Sequence, residues 1–149
     1  EYYAAYFSAR GEDVDAKSAL AGVGAVRARM KEIAAKGKEA TAKENSTYSI
    51  LQILNEMLSR GVELLPIDLY HSDATRYLVE DGKIRLPFNA LPGVGETAAI
   101  SIKEEAEKGA FLSWDDLQAR AGVSKTVVEA LADVGVLDGI PESMQMSLF

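Results

Sequence analysis

The sequence predicts a mainly α-helical protein, an α-rich α+β fold with one or two small β-hairpins. Three observations point to this class. Apolar residues recur at spacings of three and four over long stretches, which is the period of an amphipathic helix. Glycines and cap-forming residues stand at the ends of those stretches. One Asp81-Gly82 pair lies between two short segments rich in β-forming residues, which is typical of a two-residue hairpin turn.

The N-terminal half is predicted to consist largely of helices. The aromatic run 2–7 is typical of the end of a buried helix, and Gly11 breaks it. Asn45 and Ser46 offer N-cap chemistry for a later helix, and Gly61 stands where a left-handed C-cap is expected. Between these two helices, residues 17–38 place five apolar side chains on one helical face: Leu20, Val23, Val26, Met30 and Ile33.

Short extended segments and further helices follow. Residues 62–65 look extended, and Pro66 argues against a central strand there. Pro87 is expected to mark a subdomain boundary. Beyond it we predict three helices: one that stops at Gly109 after Lys108, one that begins at Ser113 and runs to about Ala121, and one that Ser124 caps and that ends at Gly135.

Composition and charge exclude several functional classes. The 149 residues contain no cysteine and one histidine, His71, which rules out thiolate sites and disfavours a histidine metal site or a Ser-His-Asp triad. No apolar run is long enough to span a bilayer, so we expect no membrane contact. The net charge is −7, so a grip on DNA must be local. The start lacks Met and a signal peptide, which suggests a piece of a longer chain.

One stretch of the chain is net positive. Between Arg27 and Lys43 the sequence contains six basic residues and only two acidic residues, Glu32 and Glu39. A solvated helix face explains this pattern, and a face that contacts phosphates explains it as well. The basic candidates for DNA contact in this stretch are Arg27, Arg29, Lys36 and Lys38.

The motif with the clearest chemistry is Leu91-Pro92-Gly93-Val94-Gly95. No β-strand of a βαβ unit precedes it, which disfavours a dinucleotide phosphate loop. Its pattern is that of the hairpin in a helix-hairpin-helix motif, in which two glycines form a tight turn between helices and backbone amides bind a DNA phosphate. A corner of a small helical bundle that touches no DNA remains the alternative.

A second, degenerate hairpin is predicted around Gly122 and Ser124. Two such units usually pack as a pair that holds the duplex backbone without reading its bases. The predicted DNA-binding residues of the two hairpins and their helices are Pro92, Gly93, Val94, Gly95, Glu96, Thr97, Lys103, Lys125 and Thr126.

Two segments carry a family resemblance. Residues 60–75, with Leu65-Pro66-Ile67-Asp68-Leu69-Tyr70, and residues 87–95 resemble the late fingers region of bacterial C-family replicative polymerases. The resemblance is to the C-terminal region of the PolC-type (Gram-positive) DNA polymerase III α chain, and it extends over essentially the whole sequence.

The resemblance implies a non-catalytic part of a cytoplasmic, replisomal DNA polymerase, a nucleotidyltransferase. Residues 1–86 would be the end of the fingers, 87–139 a tandem helix-hairpin-helix that holds template–primer duplex, and 140–149 a tail. No cofactor is expected here, because the parent enzyme would hold its Mg²⁺ ions in a palm upstream. Asp68, Ser72 and Asp73 are expected to form turn hydrogen bonds rather than a metal site.

The tail resembles a second family motif. Residues 145–149 are similar to the pentapeptide with which replication proteins bind the bacterial sliding clamp β. The implied clamp-binding residues are Gln145, Met146, Ser147, Leu148 and Phe149, with Met146 in place of the usual Leu. The expected partners are duplex DNA, the clamp, the rest of the polymerase chain and the clamp-loader τ subunit.

Two functions of other classes compete with this interpretation. One is a helical protein-interaction domain that does not bind DNA, which would not need the hairpin glycines. The other is the helix-hairpin-helix module of a DNA repair protein, which would share the hairpin but not the segment 65–75 or the tail.

Overall fold

A computed structural model describes residues 2–9 and 16–143. Their backbone contacts group into two compact units, one formed by residues 2–9, 16–66 and 76–86 and the other by residues 67–75 and 87–143. The predicted α-rich α+β class is confirmed. The described helices are α1 (Tyr2–Ala9), α2 (Ala16–Ala21), α3 (Val23–Lys36), α4 (Ala42–Ser59), α5 (Glu96–Lys108), α6 (Trp114–Ala121) and α7 (Lys125–Asp133), and the strands are β1 (Leu64–Leu65), β2 (Leu78–Glu80) and β3 (Lys83–Arg85).

In the first unit, α3 packs against α4. The predicted helix over 17–38 is divided, because Gly22 leaves the helical conformation between α2 and α3. Helix α3 then gives way to a single 3₁₀ turn, Gly37–Glu39. The core of this unit includes side chains of both long helices that are almost inaccessible to solvent: Val26, Ile33, Ile50, Leu51, Leu54 and Met57.

The start of α4 differs from the prediction. Thr41, rather than Asn45 or Ser46, is the N-cap. The Thr41 hydroxyl accepts from the Glu44 amide at 3.0 Å, and the Glu44 carboxylate accepts from the Thr41 amide at 3.1 Å. This reciprocal pair satisfies two donors at once, so it starts the helix earlier than a single Asn or Ser cap would.

A three-stranded sheet completes the first unit, in the order β1-β3-β2. The predicted hairpin at Asp81-Gly82 is confirmed, and both turn residues have the positive φ that such a turn requires. Strand β1 adds in parallel, with Leu64 opposite Ile84. Because β1 is an edge strand, Pro66 can follow it directly.

The second unit contains α5, α6 and α7. The predicted ends at Gly109 and Ala121 and the predicted caps at Ser113 and Ser124 are confirmed, whereas α7 ends at Asp133, two residues before the predicted end at Gly135. Residues 67–75, which the sequence analysis placed in the first region, pack with this unit: the Phe88 amide donates to the Asp73 carbonyl at 3.0 Å. The functional division at residue 87 stays a prediction.

Candidate nucleic-acid interface

The first hairpin, residues 92–95, turns the chain into α5. Gly93 has φ +92°, a conformation that L side chains rarely adopt. The Val94 amide donates to the Leu91 carbonyl at 3.1 Å, and the side chains of Val94 and Leu91 are both buried. Two apolar anchors therefore hold the turn from inside, while Pro92 and Gly93 lie at the surface.

Gly95 is the N-cap of α5 and supplies no side-chain hydrogen bond to it. Its backbone is extended, and among the described residues no atom lies within 4 Å of a Cβ atom built on it. In that part of the chain, neither conformation nor space therefore requires a glycine at position 95. The first amides of a helix have no intrahelical partner and lie at the positive end of its dipole. Glu96 and Thr97 are exposed in this first turn, so their amides are available to an anion.

Three features of the first hairpin correct the predictions. The element before it is a 3₁₀ turn, Phe88–Ala90, rather than an α-helix. Only Gly93 of the two glycines has the positive φ expected of a tight two-glycine turn. The hydrogen bond to Leu91 also removes the Val94 amide from the donors predicted for a phosphate, because that amide closes the turn itself.

The second hairpin, residues 121–124, connects α6 to α7. Gly122 adopts the left-handed conformation and its amide donates to the Gln118 carbonyl, which ends α6. Ser124 caps α7, and its hydroxyl accepts from the Val127 amide at 3.3 Å. Lys125 and Thr126 are exposed at the start of α7. This hairpin therefore offers backbone amides and the Lys125 cation to an anion, but the Ser124 oxygen lies beside them and already accepts one of the amides.

The N-terminus of α6 is occupied by the chain itself. The Ser113 hydroxyl accepts from the Asp116 amide at 3.0 Å. The amides of Trp114 and Asp115 donate to the carbonyls of Pro141 and Glu142 at 3.0 and 3.2 Å. Of the three α-helices described in the second unit, α5 is the one that begins without a side-chain cap.

Most of the predicted basic contacts are ion-paired or hydrogen-bonded within the protein. Lys103 pairs with Glu107 at 3.0 Å, and Lys125 lies 3.9 Å from Glu129. In the first unit Arg27 donates to Asn55 at 2.9 Å and to Ser59 at 3.3 Å, Arg29 pairs with Glu32 at 3.4 Å, Lys36 pairs with Glu44, and Lys38 is exposed. The Lys36 ammonium holds the pKa of Glu44 below its usual value.

Arg120 is a residue that the sequence reasoning missed. Its guanidinium donates to the carbonyls of Glu105, Ala110 and Gly109 at 2.7, 2.9 and 3.1 Å. A basic residue in the last turn of a predicted helix is a common sequence feature. Nothing in the pattern indicates that this one reaches back to the end of the preceding helix.

The acidic residues near His71 form a turn, as predicted. The Asp68 carboxylate accepts from the amides of Tyr70 and His71 at 2.9 and 3.0 Å and contacts the His71 ring at 2.8 Å. Burial raises the pKa of Asp68, but these hydrogen bonds outweigh it and leave the pKa below its ordinary value. Within residues 2–9 and 16–143 there is no group of three or more side chains suited to a metal ion.

The predicted clamp-binding residues, 145–149, lie outside the described residues. None of the helices in the described part of the chain combines the length and apolarity needed to cross a membrane.

The chain is similar to known proteins over nearly its whole length. A DNA polymerase III PolC-type protein of Halalkalibacterium halodurans is 46% identical over 148 residues, which are 99% of this chain and 10% of that protein. Proteins of the same name from Bacillus cereus and Bacillus subtilis are 44% and 43% identical over the same shares. The chain thus spans about a tenth of the length of these curated relatives. The predicted resemblance to PolC-type polymerases is confirmed.

A family model described as "Helix-hairpin-helix motif" matches residues 61–146, a range that includes both hairpins. That range is more than half of the sequence, and the hairpin geometry lies inside it. The chain belongs to the helix-hairpin-helix family.

Proposed function

We propose that this chain holds duplex DNA by its phosphate backbone, with the first hairpin as the main contact. The observation that carries the proposal is the exposed N-terminus of α5, which Gly95 leaves uncapped. A serine or aspartate at Gly95 would cap α5 with its oxygen and would also occupy the place of a phosphate oxygen. A glycine there costs the helix only a little and leaves the amides of Glu96 and Thr97 for an anion.

This mode of binding suits an acidic protein. Hydrogen bonds from backbone amides to a phosphate are short-range interactions. They do not require a positively charged protein surface. Pro92 and Gly93 let the DNA backbone approach closely, and the second hairpin adds a further phosphate contact through Lys125 and Thr126. Because few phosphates are contacted, the affinity should fall only gently as salt increases. Lys103 and the residues Arg27, Arg29, Lys36 and Lys38 are proposed as secondary contacts.

The test is a pair of substitutions that add the same charge in different places. Gly95→Asp places a carboxylate over the α5 amides in an unstrained conformation. It should leave thermal stability unchanged or slightly higher, and reduce duplex affinity by about tenfold or more, the scale of one charge-assisted hydrogen bond. Gly24→Asp is the control, since Gly24 lies in the first turn of α3 with open space around its Cα.

The readout is the dissociation constant of a labelled 20-base-pair duplex (about two helical turns) by fluorescence anisotropy, over a range of salt. Equal losses in Gly95→Asp and Gly24→Asp would mean that charge alone matters and that the hairpin is not the contact. No duplex binding by the unchanged chain would favour a helical protein-interaction domain instead.

In its larger context we propose that the chain is a non-catalytic part of a replicative DNA polymerase in the bacterial cytoplasm. The support is the similarity to PolC-type DNA polymerase III over nearly the whole chain. The enzyme would transfer nucleotides to a DNA primer with Mg²⁺ ions held by carboxylates elsewhere in the polymerase. This chain would bind the duplex product and contact the rest of the polymerase.

We also propose that residues 145–149 bind the sliding clamp β, with the clamp-loader τ subunit as a further partner. Leu148 and Phe149 offer two apolar side chains for one pocket, which would be worth about 1.5–3 kcal/mol each when fully buried. Deleting Leu148 and Phe149 should abolish clamp binding and leave duplex binding intact. Met146→Leu should bind the clamp equally well or slightly better. Clamp binding that survives the deletion would place the contact elsewhere.

A further inference from the structure

Arg120 occupies the junction between α5 and α6. Its three hydrogen bonds go to the carbonyl of Glu105 in the last turn of α5, where carbonyls lack a partner inside the helix, and to the carbonyls of Gly109 and Ala110 directly after it. A cation at a helix C-terminus is also favoured by the helix dipole. The planar guanidinium reaches these carbonyls from two nitrogens, Nη1 toward Ala110 and Nη2 toward Glu105 and Gly109, an arrangement that the single nitrogen of a lysine does not reproduce.

Further contacts fix the same guanidinium from its other sides. It lies 3.4 Å from the carboxylates of both Glu105 and Asp116, and 4.4 Å from the centre of the Phe111 ring. The Phe111 amide in turn donates to the Tyr70 hydroxyl at 3.1 Å, and their rings stack. The arginine side chain is 24% exposed. Its charge is therefore compensated within the protein rather than offered to a ligand.

The position of Arg120 in the chain relates this anchor to both hairpins. Helix α5 starts at the first hairpin, and Arg120 binds one carbonyl in its last turn and two directly after it. Arg120 itself stands in the last turn of α6, two residues before Gly122 of the second hairpin. One side chain thus ties the far end of the first hairpin's helix to the entrance of the second hairpin.

We propose that Arg120 is a positioning residue that sets the preference for duplex over single-stranded DNA by keeping the two hairpins at a fixed separation. This inference rests on the proposed function, in which each hairpin binds a phosphate. A duplex presents phosphates at set distances, so a pair of rigid sites binds both without an ordering cost. A single strand is flexible and adapts to sites whose separation varies.

The test compares Arg120→Lys with Arg85→Lys in the complete chain. Arg85 is a matched control in the first unit, since it binds the Glu80 carboxylate at 2.6 and 3.0 Å and the Pro66 carbonyl at 3.0 Å. Both variants keep the positive charge but lose hydrogen bonds of the guanidinium group, so both should lower the melting temperature. Dissociation constants are measured for a duplex and for a single strand of the same length.

Arg120→Lys should weaken duplex binding by about tenfold and single-strand binding by about twofold or less, the range of couplings between linked sites. Arg85→Lys should change neither constant. Phe111→Leu, which removes the ring beside the guanidinium, should shift the same ratio in the same direction by less. It serves as the test if Arg120→Lys does not fold.

The outcomes separate this inference from the proposed function. If the unchanged chain binds duplex and the ratio of the two constants stays the same in Arg120→Lys and in Phe111→Leu, the positioning role is wrong and the hairpin assignment stands. If the unchanged chain does not bind duplex, the proposed function itself fails.

Discussion

The first hairpin, 92–95, and the second, 121–124, each turn the chain into the start of a helix, but they differ in how that helix is capped. Gly95 gives α5 no side-chain acceptor, whereas Ser124 accepts a hydrogen bond from the third amide of α7. The turn residues differ as well: Gly93 has a φ of +92° and lies with the exposed Pro92 between buried Leu91 and Val94, while Gly122 ends α6 as an ordinary left-handed cap.

This difference indicates that the cap of the second hairpin serves stability, whereas the uncapped helix start of the first hairpin is left for a ligand. Replacing a serine cap by alanine typically costs 0.5–2 kcal/mol, so Ser124 contributes to the fold of its own domain. The first hairpin instead derives its stability from Val94 and Leu91, which are buried beneath it. Its amides can then remain open at the surface without loss of the turn.

The largest difference in duplex affinity between the two hairpins is expected from Gly93→Val. A β-branched side chain at positive φ costs roughly 1–3 kcal/mol, and the turn must rearrange to relieve it. Duplex affinity should fall at least tenfold, on the order of one lost charge-assisted hydrogen bond. Gly122→Val, at φ +65°, is the partner variant. It should lose similar stability in thermal unfolding but less affinity in anisotropy. Equal losses of affinity would make the hairpins equivalent.

Removing the cap of the second hairpin should act mainly on stability. Ser124→Ala leaves the Val127 amide without its acceptor and should cost about 0.5–2 kcal/mol in denaturant unfolding. Because the oxygen that competes with a phosphate is also removed, duplex affinity should hold or rise slightly. A marked loss of affinity would show that the Ser124 hydroxyl itself contacts DNA.

A charge beside the first hairpin should have a smaller effect of the opposite sign. Glu96 is exposed in the first turn of α5, where its carboxylate favours the helix and repels a phosphate. Glu96→Gln should raise duplex affinity by about two- to fivefold, as expected for 0.3–1 kcal/mol. The control is Glu63→Gln in the first unit, since Glu63 is exposed and pairs with Lys83, which is not among the proposed contacts. An equal gain there would mean that total charge, rather than the first hairpin, sets affinity.

The smallest effect on binding is expected at a turn whose amides are already engaged. The Asp68 carboxylate accepts from Tyr70 and His71, and these bonds keep its pKa below the ordinary value of 3.8. Its contribution to stability is therefore complete above pH 3.8 and is lost as the pH falls below that value. Asp68→Asn should weaken this acid dependence in unfolding experiments and leave duplex affinity unchanged. A change in affinity would extend the interface to residues 67–75.

Local rules explain which parts of the molecule could be predicted from the sequence. Ser113, Ser124 and the Asp81-Gly82 turn involve hydrogen bonds within four residues, so their patterns are visible in the chain. The same rules apply to Thr41 and Glu44, but Asn45 and Ser46 offered a competing cap. The exposed amides of the first hairpin were predicted from the glycine pattern, although the bond that engages the Val94 amide was not.

The remaining features depend on packing between segments distant in sequence. Arg120 meets carbonyls 10 to 15 residues earlier, and Lys36 pairs with Glu44 across a turn. No periodicity encodes these partners, because side-chain reach and helix direction decide them together. The basic stretch is the clearest example: the sequence shows its cations, but only the folded chain shows that several of them already have anionic or amide partners.

The segment 141–142 has a mechanical consequence. Its carbonyls accept from the first two amides of α6, so the chain is fastened to that helix just before Ser143. A pull applied beyond Ser143 is therefore borne first by these two bonds and by the start of α6, and reaches α7 and its hairpin only after they part. These two hydrogen bonds therefore resist a force on the tail before that force reaches α7.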